Sequence, residues 1–138
     1  IDKGSTDKIN EGSIVVYENT LIGKISFAGE NFSRVETPIS NKLKIPVVVK
    51  DFRQEGLLAR GVLSAPAGKI YLEKVLQSER IMNDDFILTS GEGGYPPDLL
   101  IGKIRKIEKK ESDVFQRAEI EPIMEYDKLA NVFVIIFK

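Results

Sequence analysis

Leu21-Ile22-Gly23-Lys24-Ile25 returns, five residues for five, as Leu100-Ile101-Gly102-Lys103-Ile104. The fold reads outward from that pair. Around the first copy, Leu21, Ile25 and Phe27 are expected to face one way and Lys24 and Ser26 the other, the alternation of a half-buried strand. The flanking blocks recur in the same order. Ile9-x-x-Gly12-x-Ile14-Val15-Val16 is echoed by Ile81-x-x-Asp84-x-Phe86-Ile87-Leu88, and Phe32-x-Arg34-x-Glu36 by Phe115-x-Arg117-x-Glu119. Pro38-Ile39, Lys42-Leu43 and Val47-Val48-Val49 are echoed by Pro122-Ile123, Lys128-Leu129 and Val134-Ile135-Ile136. The offset climbs from 72 to 87, as small insertions would cause. Such an internal repeat predicts two related units.

Composition agrees with strands. The chain holds 17 Ile and 11 Val against 11 Leu and 6 Ala, and branching at Cβ favours the pleated surface. Turn formers punctuate the apolar runs at Glu18-Asn19, Ala28–Asn31, Pro66-Ala67-Gly68 and Gly91–Asp98. No long amphipathic helix is present in the pattern, although short helical turns fit 76–81 and 123–129. The expectation is an all-β fold of two small related β-barrel units packed together. The first spans residues 1–50 and lacks a leading strand, 51–79 form a connecting hairpin, and the second spans 80–138. Units this small bury too little surface to stand alone and should share an apolar interface. The last strand suits that need: Val132, Val134 and Ile136 point one way and Phe133, Ile135 and Phe137 the other. Gly23 and Gly102, on the inward face of their strands, predict a bulge or a close backbone approach.

The 138 residues include no His, no Cys and no Trp. That excludes Ser-His-Asp and Cys-His catalysis, HExxH zinc sites, disulfides and iron–sulfur ligation. No metal, cofactor or catalytic residue is expected. Net charge is −1, unlike the basic excess of most nucleic-acid modules. The longest apolar run, Val132 to Phe137, is far short of the roughly 20 residues of a membrane span. The chain starts at Ile1 rather than Met, as a fragment or processed form would.

Three segments invite chemistry. Thr89-Ser90-Gly91-Glu92-Gly93-Gly94-Tyr95-Pro96-Pro97-Asp98 departs from GxGxxG at Pro96 and is followed by no Gly-Lys-Ser/Thr. Ser90 as a nucleophile would need a lysine base, giving a Ser/Lys hydrolase as an alternative reading. The bland reading is a long rigid turn. Lys103, Arg105, Lys106, Lys109 and Lys110 form a basic run that could bind phosphates in a small-barrel nucleic-acid module. Glu108, Glu111 and Asp113 neutralise it within a few residues, and no nucleic-acid partner is expected. Asp84-Asp85, adjacent on a strand edge, point to opposite faces and make a poor catalytic pair.

Phe86-Ile87-Leu88-Thr89-Ser90-Gly91-Glu92-Gly93-Gly94-Tyr95-Pro96-Pro97-Asp98-Leu99-Leu100-Ile101-Gly102-Lys103-Ile104 resembles the signature of the bacterial rod-shape-determining MreC family. The opening Ile1-Asp2-Lys3-Gly4-Ser5 with Ile9-Asn10-Glu11-Gly12-Ser13-Ile14-Val15-Val16 is similar to the start of the same domain. Ser33-Arg34-Val35, Ile45-Pro46-Val47 and 55–61 match further positions. Gly12, Gly23, Thr89, Ser90, Gly91, Gly93, Gly94 and Gly102 fall on the family's structural motif positions. The chain departs from the pattern at Asn83-Asp84, just before Pro96, and at Asp98. The resemblance implies paired β-domains shaped like a chymotrypsin-like double barrel without its catalytic groups. It implies a non-enzymatic, extracytoplasmic scaffold of the cell-wall elongation machinery, tethered to the membrane by an N-terminal anchor outside this chain. Implied partners are the elongation penicillin-binding transpeptidase, MreD and other copies of the protein. Tyr95, Pro96, Pro97 and Asp98, or exposed apolar side chains on the second unit, are the expected contact residues, because rigid turns lose little entropy on binding.

Overall fold

The computed structural model describes residues 10–30, 33–51, 57–126 and 136–137. These residues form ten strands: β1 (Ile14–Tyr17), β2 (Thr20–Ala28), β3 (Ser33–Glu36), β4 (Ile45–Lys50), β5 (Leu57–Ser64), β6 (Tyr71–Leu76), β7 (Phe86–Thr89), β8 (Leu100–Glu108), β9 (Phe115–Pro122) and β10 (Ile136–Phe137). The chain is all-β, as expected. Six strands close a barrel in the order β4-β5-β6-β9-β8-β7 and back to β4. The others form a sheet in the order β10-β1-β2-β3. The two meet where Thr20 pairs in parallel with Leu100 and Leu100 N–H donates to Asn19 O at 2.8 Å.

The pairing groups the strands otherwise than the expected 1–50, 51–79 and 80–138. β4, expected in the first unit, lies between β5 and β7, and the 51–79 hairpin supplies two barrel staves. The reason is closure: β7, β8 and β9 alone would leave two open edges, and three more strands remove them. β10 pairs with β1, so the chain's end completes the first sheet. The two-faced reading of Val132–Ile135, the opening 1–9 motif, Phe32 and Lys128-Leu129 lie outside the described residues.

The repeat is real in register. Ile14, Val15 and Val16 pair with Lys24, Gly23 and Leu21; Phe86, Ile87 and Leu88 pair with Lys103, Gly102 and Leu100. Ile22 and Ile101 are each left over, an extra residue in the same place. Lys24, Ile25 and Phe27 pair with Glu36, Val35 and Arg34; Lys103, Ile104 and Lys106 pair with Glu121, Ile120 and Glu119. Ser26 and Arg105 are the second shared bulge. Glu36 therefore corresponds to Glu121 rather than Glu119. A slide of two residues keeps every side chain on its face, so the motif match alone could not fix it.

Bulges also overturn the expected face of β2. Leu21 packs into the main core, Ile25 into a second cluster with Val15 and Ile22, and Phe27 is 42% exposed. Each bulge inserts one residue and resets the alternation. β1 is buried on both faces: Ile14 and Val16 join the main core and Val15 the second. At Gly23 and Gly102 a Cβ would stand 2.3 Å from Glu36 O and from Glu121 O, the close approach expected of both.

Candidate functional site

The connection from β7 to β8 is a ten-residue counterpart of the two-residue turn between β1 and β2. It is latched by Thr89, whose side chain is fully buried. Thr89 Oγ1 donates to Pro96 O at 2.6 Å and accepts from Leu99 N–H at 2.9 Å. Asp98 N–H donates to Thr89 O at 3.0 Å. A hydroxyl that both donates and accepts is what this position needs. Ser90 N–H donates to Pro46 O at 3.2 Å, and Gly93 lies against the Pro46 ring. Gly91, Gly93, Gly94 and Asp98 have φ of 96°, 70°, 86° and 63°, so the turn depends on residues tolerant of left-handed backbone.

Tyr95, expected as a contact residue, is only 3% exposed and belongs to the main core. Burial pushes its phenol up to about 12. Lys24 Nζ sits 5.5 Å from the ring centroid. The loop thus roots itself through its one aromatic side chain. Pro96 is half-buried, while Pro97 and Asp98 are exposed. Lys50 Nζ holds Asp98 Oδ1 at 2.9 Å and Arg60 Nη1 holds Glu92 Oε1 at 3.5 Å, tying both loop carboxylates to the β4–β5 wall.

Ser90 Oγ donates to Glu92 Oε1 at 3.3 Å and accepts from Glu92 N–H at 3.3 Å. Ser90 Oγ thus meets a carboxylate two residues along rather than a lysine. The basic run is also engaged: Lys103 pairs with Asp84 and Glu121 at 3.6 and 3.8 Å, and Arg105 lies 3.9 Å from Glu119. The Lys69 ammonium, hydrogen-bonded to Glu119 at 2.9 Å, holds that carboxyl below its ordinary range. The second carboxylate of the adjacent pair, Asp85, is buried and accepts from Met82 N–H at 2.7 Å, while Asp84 turns outward at φ 73°. Among the described residues no three Asp or Glu cluster as metal ligands would, and no helix is long and apolar enough to cross a membrane.

A second surface stands at the open end of β6 and β9. Leu76 and Phe115 are cross-strand partners. They and Val114 are 45%, 46% and 69% exposed. In β6, Glu73 and Lys74 oppose the single residue Arg117; the bulge puts Lys74 at φ 62°. That aims Lys74 Nζ over the Phe115 ring, 6.0 Å from its centroid, while Arg117 stacks 3.7 Å from the Tyr71 ring centroid. Gln77 Nε2 donates to Lys110 O and to Asp113 O, and Gln116 Nε2 to Leu76 O and Glu79 O at 2.9 and 2.8 Å. The apolar tip is therefore braced from both sides. Sequence reading placed Phe115, Arg117 and Glu119 on one strand face, which holds; the bulge that gathers Lys74 beside Phe115 leaves no mark in the residue pattern.

Comparison with known proteins follows this geometry closely. Residues 1–136 match the family described as "Rod shape-determining protein MreC, barrel core". The cell shape-determining protein MreC of Listeria monocytogenes is 29% identical over 139 residues, covering 98% of this chain and 46% of that protein. The chain spans less than half the length of the curated relatives it matches. The crystal structure of MreC from Pseudomonas aeruginosa superposes with a TM-score of 0.83 at 20% identity, over all of this chain and 86% of that one. MreC in a complex with a penicillin-binding protein from Helicobacter pylori gives 0.62 at 18% identity, over 91% of this chain and 72% of that one. At such identities the likeness is one of fold.

Proposed function

This chain belongs to the rod shape-determining MreC family, and from that membership we propose that it is a non-enzymatic scaffold of the machinery that builds the elongating cell wall. The observation that carries the reading is the family match across 1–136 on a frame whose distinctive loop is spent on structure. Thr89 latches it, Tyr95 roots it, and Ser90 is bound to Glu92. The chain works outside the cytoplasm, and its partners are the elongation penicillin-binding transpeptidase, MreD and further copies of itself. The relative of known structure caught with a penicillin-binding protein supports the first.

Within the loop, the contact surface is what Tyr95 leaves outside: Pro97 and Asp98, with Pro96 behind them. Asp98→Lys reverses the charge there and opposes Lys50. It should weaken capture of the transpeptidase's extracytoplasmic domain about tenfold, read by biolayer interferometry, with the circular dichroism spectrum unchanged. Equal binding by the variant would remove this loop from the interface. Covalent labelling of Ser90 by a fluorophosphonate probe would overturn the non-enzymatic reading itself.

A further inference from the structure

We propose that Met124 is an oxidation site whose reversible sulfoxide loosens the barrel from the β10-β1-β2-β3 sheet. The chain has no Cys and two methionines, Met82 and Met124, so these thioethers are its whole sulfur chemistry. Met82 is 49% exposed and belongs to neither apolar cluster. Met124 is half-buried, and among the described residues it alone packs beside both clusters. The main core joins the barrel staves to Ile14, Val16 and Leu21 of the sheet. The second cluster, Val15, Ile22 and Ile25, belongs to the sheet. Met124 also sits midway along the segment that ties the two halves. Ile123 N–H donates to Ile101 O of β8 at 2.9 Å, and the Tyr126 phenol donates to Leu21 O of β2 at 2.7 Å. Tyr126 N–H donates back to Met124 O at 3.0 Å, a tight turn that holds the methionine between those anchors.

An unbranched thioether suits such a place, because it adapts to the irregular gap where two clusters meet. The same choice makes the join sensitive to oxidant, and partial exposure lets a small one reach the residue. Hydrogen peroxide supplies the oxygen. The sulfur lone pair attacks one peroxide oxygen, the S–O bond forms and the O–O bond breaks. Sulfur gives up two electrons, and the departing hydroxide takes the remaining proton and leaves as water. The product is a polar, chiral sulfoxide, a strong acceptor where a thioether met apolar side chains. The adjacent donors are engaged, Ile123 N–H with Ile101 O and Tyr126 N–H with Met124 O. An acceptor pressed among apolar groups without a donor is costly. It is relieved when the side chain turns to water, which takes Met124 off both clusters. Sulfoxide reductases reverse the change.

The test treats the 138-residue chain with hydrogen peroxide and compares each protein with its own untreated form. Met82→Leu leaves Met124 as the one thioether, and Met124→Leu leaves Met82; the swap conserves volume. Peptide mass spectrometry assigns the sulfoxides. Oxidised Met82→Leu should melt about 4 °C lower or more and recover after methionine sulfoxide reductases A and B with dithiothreitol. Oxidised Met124→Leu should keep its melting curve. Amide exchange at Leu100, whose N–H crosses the join to Asn19 O, should quicken about fivefold or more in oxidised Met82→Leu, and more than in the β4–β5 ladder. Should Met124→Leu fold poorly, the parent carries the same test through its time course. Its melting temperature should fall with the Met124 sulfoxide, the slower of the two, and not with that of Met82. A Met124 that stays a thioether while Met82 is fully oxidised overturns the site. A Met124 sulfoxide that leaves the melting curve or the Leu100 exchange unchanged overturns its effect on the join.

Discussion

Gly102 has no room for a methyl group. Its strand crosses β9 so closely that a Cβ would lie 2.3 Å from Glu121 O and 3.0 Å from Ile120 Cγ2. The obstacle is mainly backbone, which cannot rotate away as a side chain can. Gly102→Ala should therefore destabilise the chain by about 2 kcal/mol or more, read as a lower urea midpoint. Gly94 is the control. It faces open space but holds φ at 86°, so Gly94→Ala should cost only about 1 kcal/mol. Should Gly102→Ala prove the milder of the two, the close approach of β8 and β9 would not be what selects glycine. At this scale the sequence was informative about Gly23 and Gly102, because a glycine among apolar strand residues has few other uses. It was misleading about Tyr95. An aromatic residue before two prolines reads equally as an exposed rigid contact or as an anchor, and only the path of the backbone decides.

Between residue and molecule, the repeat shows where alternation informs and where it fails. Leu21–Ile25 and Leu100–Ile104 marked two equivalent strands, and both are flanked by equivalent neighbours in register. The bulge at Ile22 then sent Leu21 and Ile25 to different cores. A bulge is a property of a pair of strands, so one strand's residues do not announce it. The copies also diverge in their connections. β1 and β2 join through Glu18-Asn19, with φ of 47° and 64°, while β7 and β8 use the long latched loop. Two positive φ values between Tyr17 and Thr20, which pair, make a type I′ turn, for which Asn-Gly is preferred over Glu-Asn. Glu18→Asn with Asn19→Gly should raise stability by about 1 kcal/mol, seen as a higher urea midpoint at an unchanged m-value. A fall in the midpoint would mean that Glu18 or Asn19 contributes a side-chain contact outweighing the turn.

At the scale of the whole molecule, few backbone bonds among the described residues join the barrel and the β10-β1-β2-β3 sheet, and two tyrosines reinforce the join. Tyr95 comes from the barrel's loop and packs with Lys24 of β2 over its ring. Tyr126 follows β9 and donates its phenol to Leu21 O at 2.7 Å, across 105 residues of sequence. Neither role was legible beforehand, since each depends on how one half sits on the other. Both phenols are buried, and burial raises their pKa above the ordinary 10.0, Tyr95 to about 12 and Tyr126 in the same direction. In the unfolded chain these groups lose their protons near pH 10, while in the folded chain they keep them to higher pH. The unfolded state then binds fewer protons, so stability is complete below pH 10 and falls as pH rises from about 10 toward 12. Lysines titrate over the same range in every variant, so the informative quantity is a difference. Melting temperatures of the parent and of Tyr95→Phe with Tyr126→Phe, compared at pH 8 and pH 11, should converge. At pH 8 the variant is the less stable, because Leu21 O loses its donor at a cost of about 1–3 kcal/mol. At pH 11 the parent has lost part of what its neutral phenols supplied, and the gap narrows. A gap that is constant with pH would mean that the two phenols ionise alike folded and unfolded, and that the join between barrel and sheet admits water.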